Sequence, residues 1–214
     1  MIRSLKTMLD RSESMHRAWH DTLMAHAPPH PNELPLRQRL ALDASALTLE
    51  HGQAIRLLLE EHLENAALAL LRVQHEALLR AAWVAYAADD AALQALTGPD
   101  TDLGVKQANA LPLAGILLKQ VEASELTPAA LKRGLREFRD VVWADANSYT
   151  HAGLLPLVRV GKRHAEAHLV HALYISNAHG YSASMISAEI MDPAETLPAI
   201  NRIVVAHPEC MVMS

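Results

Sequence analysis

Residues 64–88 read ENAALALLRVQHEALLRAAWVAYAA, and this stretch decides the fold. It contains neither glycine nor proline and is built largely from alanine and leucine, the strongest helix formers. Its apolar side chains fall on nearly every face of a helix, so the helix they form must be covered all round and belongs at the centre of a bundle.

The flanking sequence supplies the cover. Upstream, Leu36 to about Glu61 predicts a helix with Leu40, Leu47, Ile55, Leu58 and Leu59 facing inward, and Gly52 as a point where it could bend. Further upstream, Ile2, Leu5, Leu9, Trp19 and Leu23 form one stripe on a helix that Ala-Pro-Pro-His-Pro at 27–31 stops. Downstream, Asp89 and Asp90 cap a short helix ending at Thr97-Gly98-Pro99, and 100–126 reads as weakly helical because Pro112 and Gly115 interrupt it. Thr127-Pro128 opens a helix to about His151, closed by Gly153 and Pro156. Another helix spans about Gly161 to Ile190, and Asp192-Pro193-Ala194-Glu195 resembles a capping box before a last short element.

These readings predict an all-α, single-domain bundle of six to eight helices over residues 1–214. It comprises an N-terminal helix and Pro-rich turn (1–31), a core (36–190) and a C-terminal helix and tail (191–214). Alanine (37) and leucine (34) dominate the 214 residues while glycine contributes only 8, which agrees with helices throughout. Half the residues are hydrophobic, too many for a disordered chain. One cysteine, Cys210, cannot form an intramolecular disulfide, and the N-terminus has no continuous apolar segment, so a cytoplasmic setting is expected. The longest stretch free of charged residues, Ala167 to Ala188, carries three histidines, an asparagine and several serines, so no membrane span is expected.

Within the central helix, Arg72, Glu76 and Arg80 recur at spacing four and form one narrow stripe amid apolar neighbours. Burying such charges is costly, so they invite either a functional explanation or a structural one, an ion network that sets helix register. A second stripe, Trp143, Asn147 and His151, lies on the helix that begins at Pro128. An amide and an imidazole one turn apart suit orienting a phosphate or hydroxyl and moving its proton; a histidine at a helix C-terminus also serves as a purely structural group.

Charge is distributed unevenly. From Pro128 to Arg163 there are seven basic residues, Arg159 among them, and three acidic ones, giving +4 in a chain of net charge -5. A basic strip beside a histidine fits an anionic ligand such as a nucleotide or RNA backbone, and equally a solvated helix face. His164, His168 and His171 share a helix face at metal-ligand spacing, but no carboxylate joins them and HExxH is absent, so no metal and no cofactor is assigned.

The stretches Arg72-Val-Gln-His-Glu-Ala-Leu-Leu-Arg-Ala-Ala-Trp-Val-Ala-Tyr and Asn147-Ser-Tyr-Thr-His-Ala-Gly, with Ser176-Asn177 beyond, resemble a family of uncharacterised bacterial helical proteins. The resemblance extends from about residue 40 to 190 and is associated with the HEPN superfamily. It implies a dimer whose late helices line a cleft and, in many members, metal-independent endoribonuclease activity used in toxin or anti-phage systems. The motif there is Arg, a polar residue, three further residues, then His. Asn147 and His151 match its last two named positions, while Ala146 stands where the arginine would be. Arg72, Arg80 or Arg159 would have to replace that arginine, with Glu76 orienting it.

Two functions follow as expectations. The first is a HEPN-like cytoplasmic homodimer that binds nucleotide or RNA, as a degenerate ribonuclease, with His151, Asn147 and Arg80 catalytic and Arg72, Glu76, Arg159 and Trp143 binding ligand. The homodimer is expected because HEPN proteins pair and because the N-terminal apolar stripe needs covering. The alternative is a non-catalytic scaffold in which the same polar residues form a buried network.

Overall fold

The computed structural model describes residues 4–28, 30–97 and 112–211. Among these the regular structure is entirely helical. In chain order the helices are α1 (Leu5–Ala25), α2 (Leu36–Glu60), α3 (Glu64–Tyr86), α4 (Asp90–Ala95), α5 (Ala114–Ala123), α6 (Ala129–Glu137), α7 (Trp143–Thr150), α8 (Leu154–Arg159), α9 (Glu166–Ile190) and α10 (Pro193–Ala206). A π turn, Phe138–Val142, joins α6 to α7 without leaving helical backbone angles, so these two form one rod and the described residues hold nine. The bundle thus exceeds the expected six to eight. The addition is α8, a six-residue helix between Gly153 and Gly161 where the sequence suggested only a break.

α3 is the central helix, as its composition requires. Leu68, Leu71, Leu78, Leu79, Trp83 and Val84 are all buried, and α2, α5, α7 and α9 pack around it. α9 begins at Glu166, later than expected, and of the weakly helical 100–126 segment the part up to 111 lies outside the described residues. Of the expected side-chain caps, that of Asp89 forms, its Oδ1 accepting from Ala92 N at 2.8 Å at the start of α4, while those of Thr127 and Asp192 do not. Pro128 rather than Thr127 is the N-cap of α6, and α10 starts on the Asp192 backbone carbonyl, which accepts from Glu195 and Thr196, with no bond to the Asp192 side chain.

The apolar stripe of α1 is covered within the chain. Met15, Trp19 and Leu23 pack with Ala188 of α9, Ile200 of α10 and Cys210, so this stripe gives no reason for a second copy. The close approach of α1 to α9 depends on Gly180, because a Cβ there would lie 2.7 Å from His16 Cε1 and 3.3 Å from the Trp19 ring. Alanine is the better helix former by ~1 kcal/mol. Overpacking against two buried rings exceeds that gain, and Gly180→Ala is expected to lower stability by about 1–2 kcal/mol net in urea unfolding. No helix among the described residues is long and apolar enough to cross a membrane.

Candidate functional site

The two polar stripes meet between α3 and α7. Arg72 Nε donates to Glu76 Oε1 at 3.0 Å one turn along α3. Its Nη1 donates to Asn147 Oδ1 and lies 2.7 Å from His151 Nε2, both carried by the second stripe. The guanidinium carbon stands 4.6 Å from the centre of the Trp143 ring, within cation–π range. Five of the seven predicted residues are therefore in one constellation, centred on a guanidinium whose side chain is only 18% exposed.

The π turn explains how Trp143 reaches this place. The Trp143 backbone N–H bonds to the Phe138 carbonyl, a step of five residues, so the extra residue brings both rings against His75. Phe138 stacks on the His75 ring at 4.1 Å, and Trp143 meets its edge at 5.9 Å. Such single π turns recur at functional sites. At the other end, α7 closes with Ala152 in the left-handed region at φ 50 and a 2.7 Å bond from Gly153 N to Ser148 O. That ending leaves His151 exposed at the helix terminus with its ring against Arg72.

Ala146 is only 3% exposed and packs with Leu71, Phe138 and Leu173, so an arginine at this position would be driven into the core. Arg72, from another helix, places its guanidinium beside His151 instead. Arg80 does not join that contact: its Nη1 is buried without a hydrogen-bond partner, and burial holds its pKa below the ordinary value against the opposing charge of Glu76. Arg159 is elsewhere too, lining a cleft with Asn65, Lys162, Arg163 and His164.

The model of a family of unknown function, DUF6988, matches residues 45–213. The chain belongs to that family. The DUF6988 match contains every residue of the Arg72 constellation and runs further toward the C-terminus than the resemblance read from the sequence. Comparison with curated proteins and with solved structures gave no match.

Two buried polar groups of this DUF6988 chain were not assembled from the sequence, although Asn177 and His75 stand in the stretches that carry the resemblance. Asn177 Oδ1 accepts from Ser12 Oγ at 2.6 Å and from His16 Nε2 at 3.1 Å, while its Nδ2 donates to the Cys210 carbonyl at 2.9 Å. His75 and His179 face each other across α3 and α9 with ring nitrogens 3.4 Å apart. Burial lowers the pKa of His16, helped by the charge of Arg56, and that of His75, helped by His179; burial alone pulls His179 down to about 3. Spacing four between Ser12 and His16 was the only spacing signal for the first group, and no spacing links His75 with His179. The His164, His168 and His171 stripe brings the first two rings to 5.3 Å, and no group of three or more His, Cys, Asp or Glu among the described residues could hold a metal ion.

Proposed function

We propose that this DUF6988 protein is a HEPN-like cytoplasmic protein that binds a nucleotide or RNA strand through Arg72 and His151. One observation carries the reading: the 2.7 Å approach of Arg72 Nη1 to His151 Nε2 at an exposed helix end. A guanidinium has only donors, so His151 Nε2 is the acceptor, lacks a proton there and carries its proton on Nδ1. A cation and a basic nitrogen side by side match what a phosphodiester with a neighbouring hydroxyl presents.

Cleavage is the stronger form of this reading. As the phosphate draws Arg72 Nη1 away from His151, the freed Nε2 lone pair takes the 2′-hydroxyl proton while that oxygen bonds to the adjacent phosphorus. Arg72, held by Glu76 and Asn147, faces the charge growing on the phosphoryl oxygens, and the bond to the 5′-oxygen breaks as that oxygen gains a proton from the imidazolium. The proton returned to the 5′-oxygen restores His151, and no metal takes part. A second copy would find its surface beside this site, where Leu154, Leu157 and Val160 are exposed.

A specific observation also favours the scaffold reading. Arg72 bonds to Asn147 and His151, and Thr150 Oγ1 bonds to the Ala69 carbonyl, so the same contacts strap α3 to α7. Incubating wild type, Arg72→Lys and His151→Ala with a labelled RNA pool in EDTA separates the two. Binding predicts retention by wild type and a loss of about tenfold or more in Arg72→Lys, whose ammonium cannot span two partners. Cleavage predicts products from wild type and none from His151→Ala. Absence of both retention and products, with Arg72→Lys melting lower than wild type, assigns these residues to the scaffold.

A further inference from the structure

Arg159, excluded from the Arg72 constellation, belongs to a cleft of about 520 Å³ at the start of α3, between the α2–α3 turn and the segment that links α8 to α9. Three cations line it, Arg159, Lys162 and Arg163, against one carboxylate, Glu64. Glu64 is already engaged: Oε1 lies 3.0 Å from Arg163 Nε, and Oε2 accepts the His164 backbone N–H at 2.7 Å. Lys162 Nζ bonds to the Val158 carbonyl at 3.0 Å, and Arg159 forms no ion pair among the described residues. The cleft therefore presents an uncompensated charge of about +2.

A second observation points to a ligand. His164 is 7% exposed, and its Nε2 meets Asn65 Oδ1 at 3.0 Å, which assigns the ring proton to Nε2 and leaves Nδ1 a lone pair. That buried Nδ1 has no partner. A phosphate with an adjoining ribose hydroxyl offers acceptors for the cations and one O–H donor for this nitrogen.

The position of the cleft is as informative as its charge. Asn65 at its wall and Arg72 are seven residues apart on α3, so they lie on nearly the same face, about 10.5 Å apart along the axis. A strand of a few nucleotides spans that distance. We propose that this cleft is a second phosphate site, which holds the strand a few nucleotides from the one at His151. The placement along a strand rests on the nucleotide reading above; the phosphate chemistry of the cleft does not.

The test uses Arg159→Ala/Lys162→Ala, since neither side chain holds an ion pair whose loss would strand a buried charge. In a His151→Ala background, which removes the cleaving base, binding of uridylates of one and five nucleotides with free 2′-hydroxyls is compared with and without the double substitution across salt, and inorganic phosphate is titrated while the His164 ring is followed by NMR. Expected are a mononucleotide that still binds at the Arg72 site but no longer at the cleft, and about 20-fold weaker pentamer binding near ~0.1 M salt. The salt slope should fall by about 1.4, the share of two phosphate contacts on a single strand. Phosphate should move the His164 signals without the double substitution and not with it. Equal pentamer affinity together with a silent His164 overturns the proposal. A His164 response to phosphate without any oligonucleotide binding retains the phosphate site and removes the nucleotide reading instead.

Discussion

Taking the protein from pH 7 to pH 5 is expected to lower its stability by about 2 kcal/mol through His179, with His16 and His75 adding to the loss in the same direction. The cause is the three imidazoles of His16, His75 and His179, each under 10% exposed and each held below its ordinary pKa by burial. They stay neutral in the folded chain and become charged in the unfolded one once pH falls below ~6.5. The unfolded state then binds more protons, so stability drops as pH drops, by about 1.4 kcal/mol per unit for each ring that is still neutral in the folded chain. The loss starts near ~6.5 and continues for His179 down to about 3. Urea unfolding followed by circular dichroism at pH 7, 6 and 5 measures that slope. His75→Phe should reduce it, and a flat profile between pH 6 and 5 would show that the buried rings accept protons without unfolding.

Asn177→Ala is expected to cost about 3–5 kcal/mol. The amide satisfies Ser12, His16 and the Cys210 carbonyl at once and thereby ties α9 to α1 and to the C-terminal turn. Truncation leaves a hydroxyl, an imidazole N–H and a carbonyl in a site where Ser12, Asn177 and Cys210 have no solvent exposure. Each stranded group costs about 1–3 kcal/mol, and the small cavity adds to this. The denaturant midpoint should fall steeply while helical circular dichroism at 10 °C persists. A change below 1 kcal/mol would mean that water or a shifted Ser12 replaces the amide.

The Arg72–Glu76 and Trp143–Asn147–His151 stripes were legible because helical periodicity alone puts residues four apart on one face. The contact between the stripes was not, because it depends on how α3 and α7 cross, which no local pattern specifies. Arg159 was grouped with the site from a charge count along the chain, but the turn after α8 carries it to the cleft at Glu64 and Asn65. Arg80 shares the stripe of Arg72 yet sits two turns along α3 from it, on the far side of Glu76, and forms no hydrogen bond to His151. Nothing in the local pattern of α1 marks Ser12 and His16 as buried, and only the seating of α1 over Gly180 buries them.

Local sequence determined that this chain is helical, that residues 64–86 form its centre, and which side chains each helix presents together, since these depend on propensity and on a period of 3.6 residues. Tertiary structure decided which stripes face each other, that α1 is covered from within, and that the guanidinium beside His151 comes from Arg72 while position 146 packs into the core. The reason is that packing is set by side-chain volumes meeting across helices distant in sequence, and a π turn of one extra residue is enough to rotate Trp143 into place.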